Sequence, residues 1–484
     1  MKIHPSARQL TRAGLYVLLA GQLLPMIDFS IVNVALDAIS HSLGASETEL
    51  ELIVAVYGVA FAVCLAMGGR LGDNFGRRRL FNWGVLLFAV ASLLCGLATS
   101  VWLLLAARAL QGVSAALVVP QILATIHVGL SGRQHSHALG LYGAIGGLAF
   151  VVGQVLGGFL VSADIAGLGW RSVFLINLPV CAAILACTNR MVPETRADKA
   201  ARIDRPGTVL LALVICCLLL PMALGPSLHW PWPCFVLLAA VLPLLALLWK
   251  VELRQERRQA SPLLPPALLR LPSARFGMVI AILFFSCWGG FMFVVARTLQ
   301  AGAGLSASHS GDAFIALGVS YFVGSLISAR AVDRFGRVPT FILGCVIQMA
   351  GLLGLMATLV LVWPQPGVFN LIPASLLIGF GQAFIVSCFY RIGLSDIPTA
   401  QAGAGSSMLA TVQQAAFGLG PALLGAVFAQ TLHFSEGNYL NAAIAGLIGE
   451  FGLMLALTLT AVHYARRRRA EAALAAMPQA RSAA

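Results

Sequence analysis

Gly69-Arg70-Leu71-Gly72-Asp73-Asn74-Phe75-Gly76-Arg77-Arg78-Arg79 lies between two apolar runs, and its centre returns as Asp333-Arg334-Phe335-Gly336-Arg337. The two aspartates are 333 − 73 = 260 residues apart. Each copy follows an apolar run of roughly 20 residues, the length that crosses a bilayer as a helix. A charged pentapeptide repeated at matching places between such runs means two homologous halves, and it makes the rest of the chain countable.

Composition agrees. The 484 residues are 59% hydrophobic and 10% charged, with a mean hydropathy of +0.89. A soluble domain is about 25% charged, so cytosolic enzymes, secreted disulfide scaffolds and nucleic-acid binders are excluded. The net charge of +13 does not rescue the last class, because the basic residues are distributed by topology. They cluster around Lys2 to Arg12, Arg70 to Arg79, Arg190 to Arg205, Lys250 to Arg258, Arg330 to Arg337 and Arg466 to Arg469. The intervening connectors, near 40–50, 99–101, 225–233, 363–369 and 433–438, have no Lys or Arg. Short basic loops stay on the cytoplasmic side, so alternate connectors and both termini are expected inside. Apolar length predicts fourteen spans at 14–37, 50–69, 80–98, 101–124, 138–160, 171–189, 207–225, 231–250, 276–297, 311–331, 339–362, 369–390, 402–430 and 439–463. The ten cysteines fall in or beside spans without a CxxC pair and read as packing residues, with no metal site.

The spacing of the repeat exceeds a six-helix half by about two spans, which matches the pair at 207–250. The expected organisation is a bundle over 1–190, an inserted helix pair with basic linkers over 191–275, a second bundle over 276–465 and a basic tail over 466–484. Paired halves of this kind are the build of many secondary transporters.

On these residues the chain resembles the fourteen-span drug:proton antiporter branch of the major facilitator superfamily. The resemblance implies an all-α integral membrane fold of two six-helix bundles plus an inserted two-helix hairpin. The segment 69–79 is similar to the superfamily's loop 2–3 signature, with Asn74 where a basic residue is usual. Arg108-Ala109-Leu110-Gln111-Gly112 resembles its proton-coupling arginine motif. Asp28, Ser30 and Asn33-Val34-Ala35-Leu36 resemble the branch's first-helix motif, and Gly169-Trp170-Arg171-Ser172-Val173-Phe174-Leu175-Ile176-Asn177-Leu178-Pro179 the start of its sixth span. The antiporter motif of span five departs from the pattern: Gly140, Gly153, Gly157 and Gly158 hold their places, but Ala149 replaces a glycine and Gln154 the proline. Four glycines still allow close helix approach, while any kink must come from glycine alone.

Asp28 falls near mid-span, where a carboxylate costs on the order of 2.5–3.5 kcal/mol and is a functional candidate by default. Proton and cationic substrate competing for that one charge is the simplest exchange mechanism. Arg108 lies about two turns from the outer end of span four and cannot lose its proton; a fixed cation biases a neighbouring carboxyl toward ionisation. Glu450, near mid-span in the last helix, is a third proton-coupling or substrate candidate, with structural pairing an equal alternative. Asp312 opens span ten near the outer face and reads equally as a solvated helix start. In the loop signature, Gly69, Gly72 and Gly76 permit tight packing, Asp73 is suited to capping a helix N-terminus, and Arg70, Arg77 and Arg78 offer fork geometry. The resemblance gives this set a gating role, and its second copy (Asp333, Gly336, Arg337) is expected to latch less well, because Ala329 and Val338 replace a glycine and an arginine. Phe284, Trp288 and Phe291 recur at helical spacing in span nine, which the resemblance places against the central cavity. Gln413 and Gln414 are further cavity candidates.

No Walker GxxxxGK[ST], HExxH or GxSxG occurs. An enzyme is not expected, and energy must come from an ion gradient with no other cofactor. One charge crossing 100 mV supplies about 2.3 kcal/mol. The resemblance implies proton-coupled efflux of amphipathic, cationic drugs or antiseptics by alternating access, from a monomer in the cytoplasmic (inner) membrane whose partners are substrate, protons and lipid. Export of a single endogenous metabolite or siderophore is the alternative.

Overall fold

The computed structural model describes residues 10–196, 204–225, 230–258, 262–398 and 401–481. Among them the chain is helical, with no strand. The long helices are α1 (Arg12–Leu43), α2 (Glu47–Phe75), α3 (Arg77–Gly96), α4 (Val101–Gly129), α5 (Gly132–Ala163), α6 (Asn177–Met191) and α7 (Arg205–Leu224). They continue as α8 (Trp232–Arg257), α9 (Pro272–Arg297), α10 (Ile315–Phe335), α11 (Arg337–Val362), α12 (Val368–Gly393), α13 (Ala402–Phe434) and α14 (Tyr439–Arg481). Lys2, Arg8, Lys199 and Arg202 of the basic clusters lie outside the described residues.

Local chemistry sets the ends. The Thr11 hydroxyl accepts from Gly14 N at 3.1 Å, and Ser46 and Glu49 form a reciprocal capping box. Gly44 closes α1 with φ 68°, a conformation that favours glycine. Several helices run past the expected spans, because their ends carry polar residues that continue the backbone hydrogen bonding outside the apolar slab; α14 extends to Arg481.

Thirteen helices of the described residues are long and apolar enough to cross a membrane. The seventh expected span corresponds to a shorter apolar stretch, Pro206–Met222 of α7. Large apolar side chains such as Trp102, Trp232, Leu361 and Phe369 stand exposed on the helix exteriors. That arrangement suits lipid and fits a multi-pass membrane protein.

Packing repeats between the two sets of helices. In the first, α1 packs on α5, α2 and α3 on α4, and α3 and α1 on α6; in the second, α9 packs on α13, α10 and α11 on α12, and α11 and α9 on α14. The sets meet where α2 crosses α13, with Gly58 against Gly418, and where α5 meets the turn at 307–312, with Gly158 against Ala307. Helices α7 and α8 pack on each other, and α7 seats Ile215 and Leu219 beside Ala62 of α2 and Ala422 of α13.

Candidate functional site

The polar core of the first bundle is built by four helices. Asp28 of α1 and Arg108 of α4, both 0% exposed, form an ion pair through Oδ2 and Nη1. Asp28 Oδ1 accepts from Gln111 Nε2 of α4 at 3.0 Å and from Asn177 Nδ2 of α6 at 2.9 Å. Ser92 of α3 accepts from the same two amides, at 2.9 and 3.2 Å. Arg108 also donates to Gln111 Oε1 and to the Ile53 carbonyl. Its guanidinium stands 4.4 Å from the Tyr57 ring centroid, a cation–π contact in a dry site. The hydrogen-bond partners of Asp28 among the described residues, Arg108, Gln111 and Asn177, are all donors, so protein groups hold the carboxylate. Asp28 is therefore not the isolated acid its place in an apolar run suggests: it faces the inside of its own bundle, neither lipid nor an open vestibule.

Beside this pair the two bundles meet through aromatic rings. Tyr57 leads to Phe29 (6.0 Å between centroids) and Phe29 to Phe417 of α13 (5.5 Å). Phe150 of α5 stacks on Phe417 at 4.8 Å and contacts Trp288 of α9 at 5.1 Å. Trp288 and Phe284 lie in this cluster, fully packed in this conformation, whereas Phe291 turns toward Phe314. Gln413 accepts from the Tyr390 hydroxyl at 2.9 Å, and Gln414 is buried on the same helix.

The span-five glycines of α5 make the contacts their size allows. A Cβ on Gly153 would stand 1.9 Å from Ser30 Oγ and 2.7 Å from the Ile27 carbonyl; one on Gly157 would meet Val34 and Ile31, and one on Gly158 the Ala307 carbonyl at 2.5 Å. Gly140 lies in α5 where its surroundings fall outside the described set. Gln154, in the expected proline position, keeps α5 an unbroken helix and donates to Met292 Sδ of α9 at 3.4 Å. The residue that replaces the proline thus links the bundles.

At the loop signature Asp73 bonds Arg77, with Nε at 3.0 Å and Nη2 at 2.6 Å, and does not cap α3. That role falls to Glu194, whose carboxylate accepts the Arg78 and Arg79 backbone N–H groups at 3.0 and 3.1 Å. The chain reverses at Gly76 with φ 103° and packs on Glu194; Gly72 faces Gln121 and Gly69 lies loosely by Pro120. Arg70 reaches the Pro262 carbonyl at 3.0 Å, and Arg78 the Val192 carbonyl at 3.3 Å. In the second copy Gly336 reverses the chain with φ 88°, Asp333 is exposed, and Arg337 donates to the Arg391 carbonyl at 3.2 Å.

Glu450 of α14 is 1% exposed, and among the described residues its carboxyl oxygens make no well-formed hydrogen bond, with the Gln348 side chain beside them. Asp312 is half-buried at the end of the 307–312 turn.

The sequence profile of the Major Facilitator Superfamily matches residues 18–421. The chain belongs to this superfamily. It is 35% identical over 420 residues to a protein of Streptomyces coelicolor described as a probable actinorhodin transporter, covering 86% of this chain and 72% of that one. It is equally identical, at 35% over 420 residues, to the puromycin resistance protein of Streptomyces alboniger, covering 86% and 81%. A multidrug resistance protein of Mycobacterium tuberculosis is 29% identical over 443 residues, covering 90% and 80%. Among solved structures, the POT family transporter PepTSo superposes with a TM-score of 0.68 at 13% identity, covering 94% of this chain and 98% of that one. The human organic anion transporter MFSD10 gives 0.61 at 18% identity, covering 93% and 99%. These two likenesses concern the fold.

Proposed function

We propose that this superfamily member exports amphipathic drugs across the cytoplasmic membrane in exchange for protons, by alternating access between the α1–α6 and α9–α14 bundles. The observation that carries the coupling is the Asp28–Arg108 pair, closed inside α1, α3, α4 and α6 and touching the interbundle rings through Tyr57. A proton on Asp28 removes the charge that holds Arg108. Arg108 then relaxes against Tyr57, and the shift passes to Phe29, Phe417 and Phe150 at the bundle interface. Asp28 thus acts as a proton switch behind the substrate path. Trp288, Phe284 and Phe150 present flat apolar surface when the bundles part, which suits flat aromatic cargo. The loop signature with Asp73, Arg77 and Glu194 serves as the cytoplasmic latch, and the chain works as a monomer with both termini inside.

A narrower specificity has support too: two of the relatives are named for single antibiotics, actinorhodin and puromycin. A growth-inhibition panel of flat aromatic antibiotics, quaternary ammonium compounds, dyes and a siderophore, in a pump-deleted host with and without this chain, separates the readings. Protection across several classes supports a multidrug exporter, and protection against one compound supports the narrow one. No protection from the expressed, inserted protein contradicts drug export.

A further inference from the structure

The second bundle has a buried polar core of its own, on the same members of its six helices as the first. In the first bundle the core residues come from the first, third, fourth and sixth helices (Asp28, Ser92, Arg108 with Gln111, and Asn177). In the second, Cys287 lies on α9, Gln348 on α11, Gln382 on α12 and Glu450 on α14, again the first, third, fourth and sixth. Gln348 and Gln382 are 0% exposed and Glu450 1%. Gln348 is the polar side chain beside Glu450, and Gly381 packs against the Gln348 backbone, which brings α12 to the same level. Cys287 Sγ donates to the Glu450 carbonyl at 3.7 Å.

The acid has moved from the first helix to the sixth, and no arginine has come with it. Among the described residues, both carboxyl oxygens of Glu450 and both amide ends of Gln348 and Gln382 are buried without a well-formed hydrogen bond, Gln348 standing beside the Glu450 carboxyl. Buried polar groups are nearly always satisfied, and each exception calls for a cause such as a proton or a water that comes and goes. The titratable groups facing Glu450 are thiols, Cys287 from α9 with Cys345 of α11 beside it. No charged side chain among the described residues stands against Glu450, and the Gln348 carboxamide is placed to donate to its carboxylate.

We propose that Glu450, with Gln348 beside it, is a second proton-binding site, so that each transport cycle moves two protons, one per bundle. The proposal rests on the reading of this chain as a proton-driven exporter. Glu450 takes a proton from the outer side, carries it as the neutral acid in the state seen here, and releases it to the cytoplasm after the bundles rock. Gln348 then donates to the carboxylate until it is protonated again. Asp28 makes the same exchange with Arg108 as its internal partner.

The test uses the full-length protein reconstituted in liposomes and read by infrared difference spectroscopy during a pH titration, which needs no substrate. Among the titrating carboxylic-acid bands, one is expected from each of these two sites. Asp28→Asn should remove one and Glu450→Gln the other, and Gln348→Leu should shift the Glu450 band alone. A Glu450→Gln spectrum identical to wild type means that Glu450 never exchanges its proton and overturns the proposal. In everted vesicles with the membrane potential clamped, accumulation of a transported drug should follow the square of the proton ratio in wild type and its first power in Glu450→Gln, with Glu450→Asp restoring the square. First-power dependence in wild type would also overturn it. A wild type that transports nothing would instead sink the exporter reading and leave the infrared result to decide Glu450.

Discussion

The two bundles bury an acid in opposite ways. In the first, Asp28 is held by a guanidinium and two amides, and a tyrosine ring covers the cation. In the second, Glu450 sits among neutral groups that are close but unbonded. In one core the carboxylate is fully engaged, with Arg108 Nη2 the atom left without a partner among the described residues, and in the other, at the equivalent helices, the carboxyl itself is left unbonded. The contrast teaches that an internal repeat conserves the place where polarity is tolerated more firmly than the chemistry put there. A carboxylate already paired stores a definite response to protonation, because one proton breaks an ion pair. An unsatisfied one responds by forming bonds it now lacks.

The largest consequence concerns loss of a partner. Arg108→Ala leaves a buried carboxylate without its cation and is expected to destabilise the protein by about 3–5 kcal/mol. The corresponding truncation in the second bundle, Gln348→Ala, removes only a poorly formed polar contact with Glu450 and should cost less than half as much. Thermal unfolding of the two variants in one detergent checks this, and equal losses would erase the difference between the cores.

A second contrast lies within α5. Gly153→Ala drives a methyl into Ser30 and the Ile27 carbonyl, an overpacking worth about 1–3 kcal/mol. Gly143→Ala meets nothing within 4 Å and should stabilise the helix by up to about 1 kcal/mol. The same unfolding measurement reads both, and a neutral Gly153→Ala would mean that α1 and α5 do not pack as closely as described.

The loop copies give a smaller effect. Glu194→Ala uncaps α3 and should cost about 1 kcal/mol. Asp333→Ala in the exposed second copy should stay within about 0.5 kcal/mol of wild type. Smallest is a pH effect on the contact that ties the α12–α13 connector to α14. Partial burial acts to raise the Asp396 carboxyl, but hydrogen bonds and charge from Arg468, with Ser273, outweigh it and hold the group below its ordinary value of 3.8. A depressed carboxyl contributes stability above its unfolded value and loses it as pH falls through the folded one. Asp396→Asn should therefore narrow the stability gap to wild type only below about pH 4.

Much of this architecture was legible in the order of residues. Apolar run length marked the helices, and the repeat of Asp73-Asn74-Phe75-Gly76-Arg77 as Asp333-Arg334-Phe335-Gly336-Arg337 marked the halves. Asp28, Arg108 and Glu450 stood out because charge is costly at bilayer depth. Their partners did not. Gln111 and Asn177 lay inside recognisable motifs, yet they meet Asp28 across 83 and 149 residues, a separation that no local pattern encodes. Phe29, Phe150 and Phe417 are single rings in apolar runs and become a cluster only when the bundles meet. Glu194 sits in a basic connector where an acid reads as solvated, and its capping role depends on the chain returning to the start of α3. Asp73 was suited to that role by residue type, but its carboxylate is engaged by Arg77, four positions on.

The account turns on Asp28, and proton-driven efflux by Asp28→Asn in everted vesicles tests it most directly. The amide keeps the shape of the side chain and removes its charge and its exchangeable proton. The expected result is normal insertion with no substrate accumulation when a proton gradient is applied. Accumulation at the wild-type rate, with the variant protein present in equal amount, would contradict the claim that this buried pair couples protons to transport.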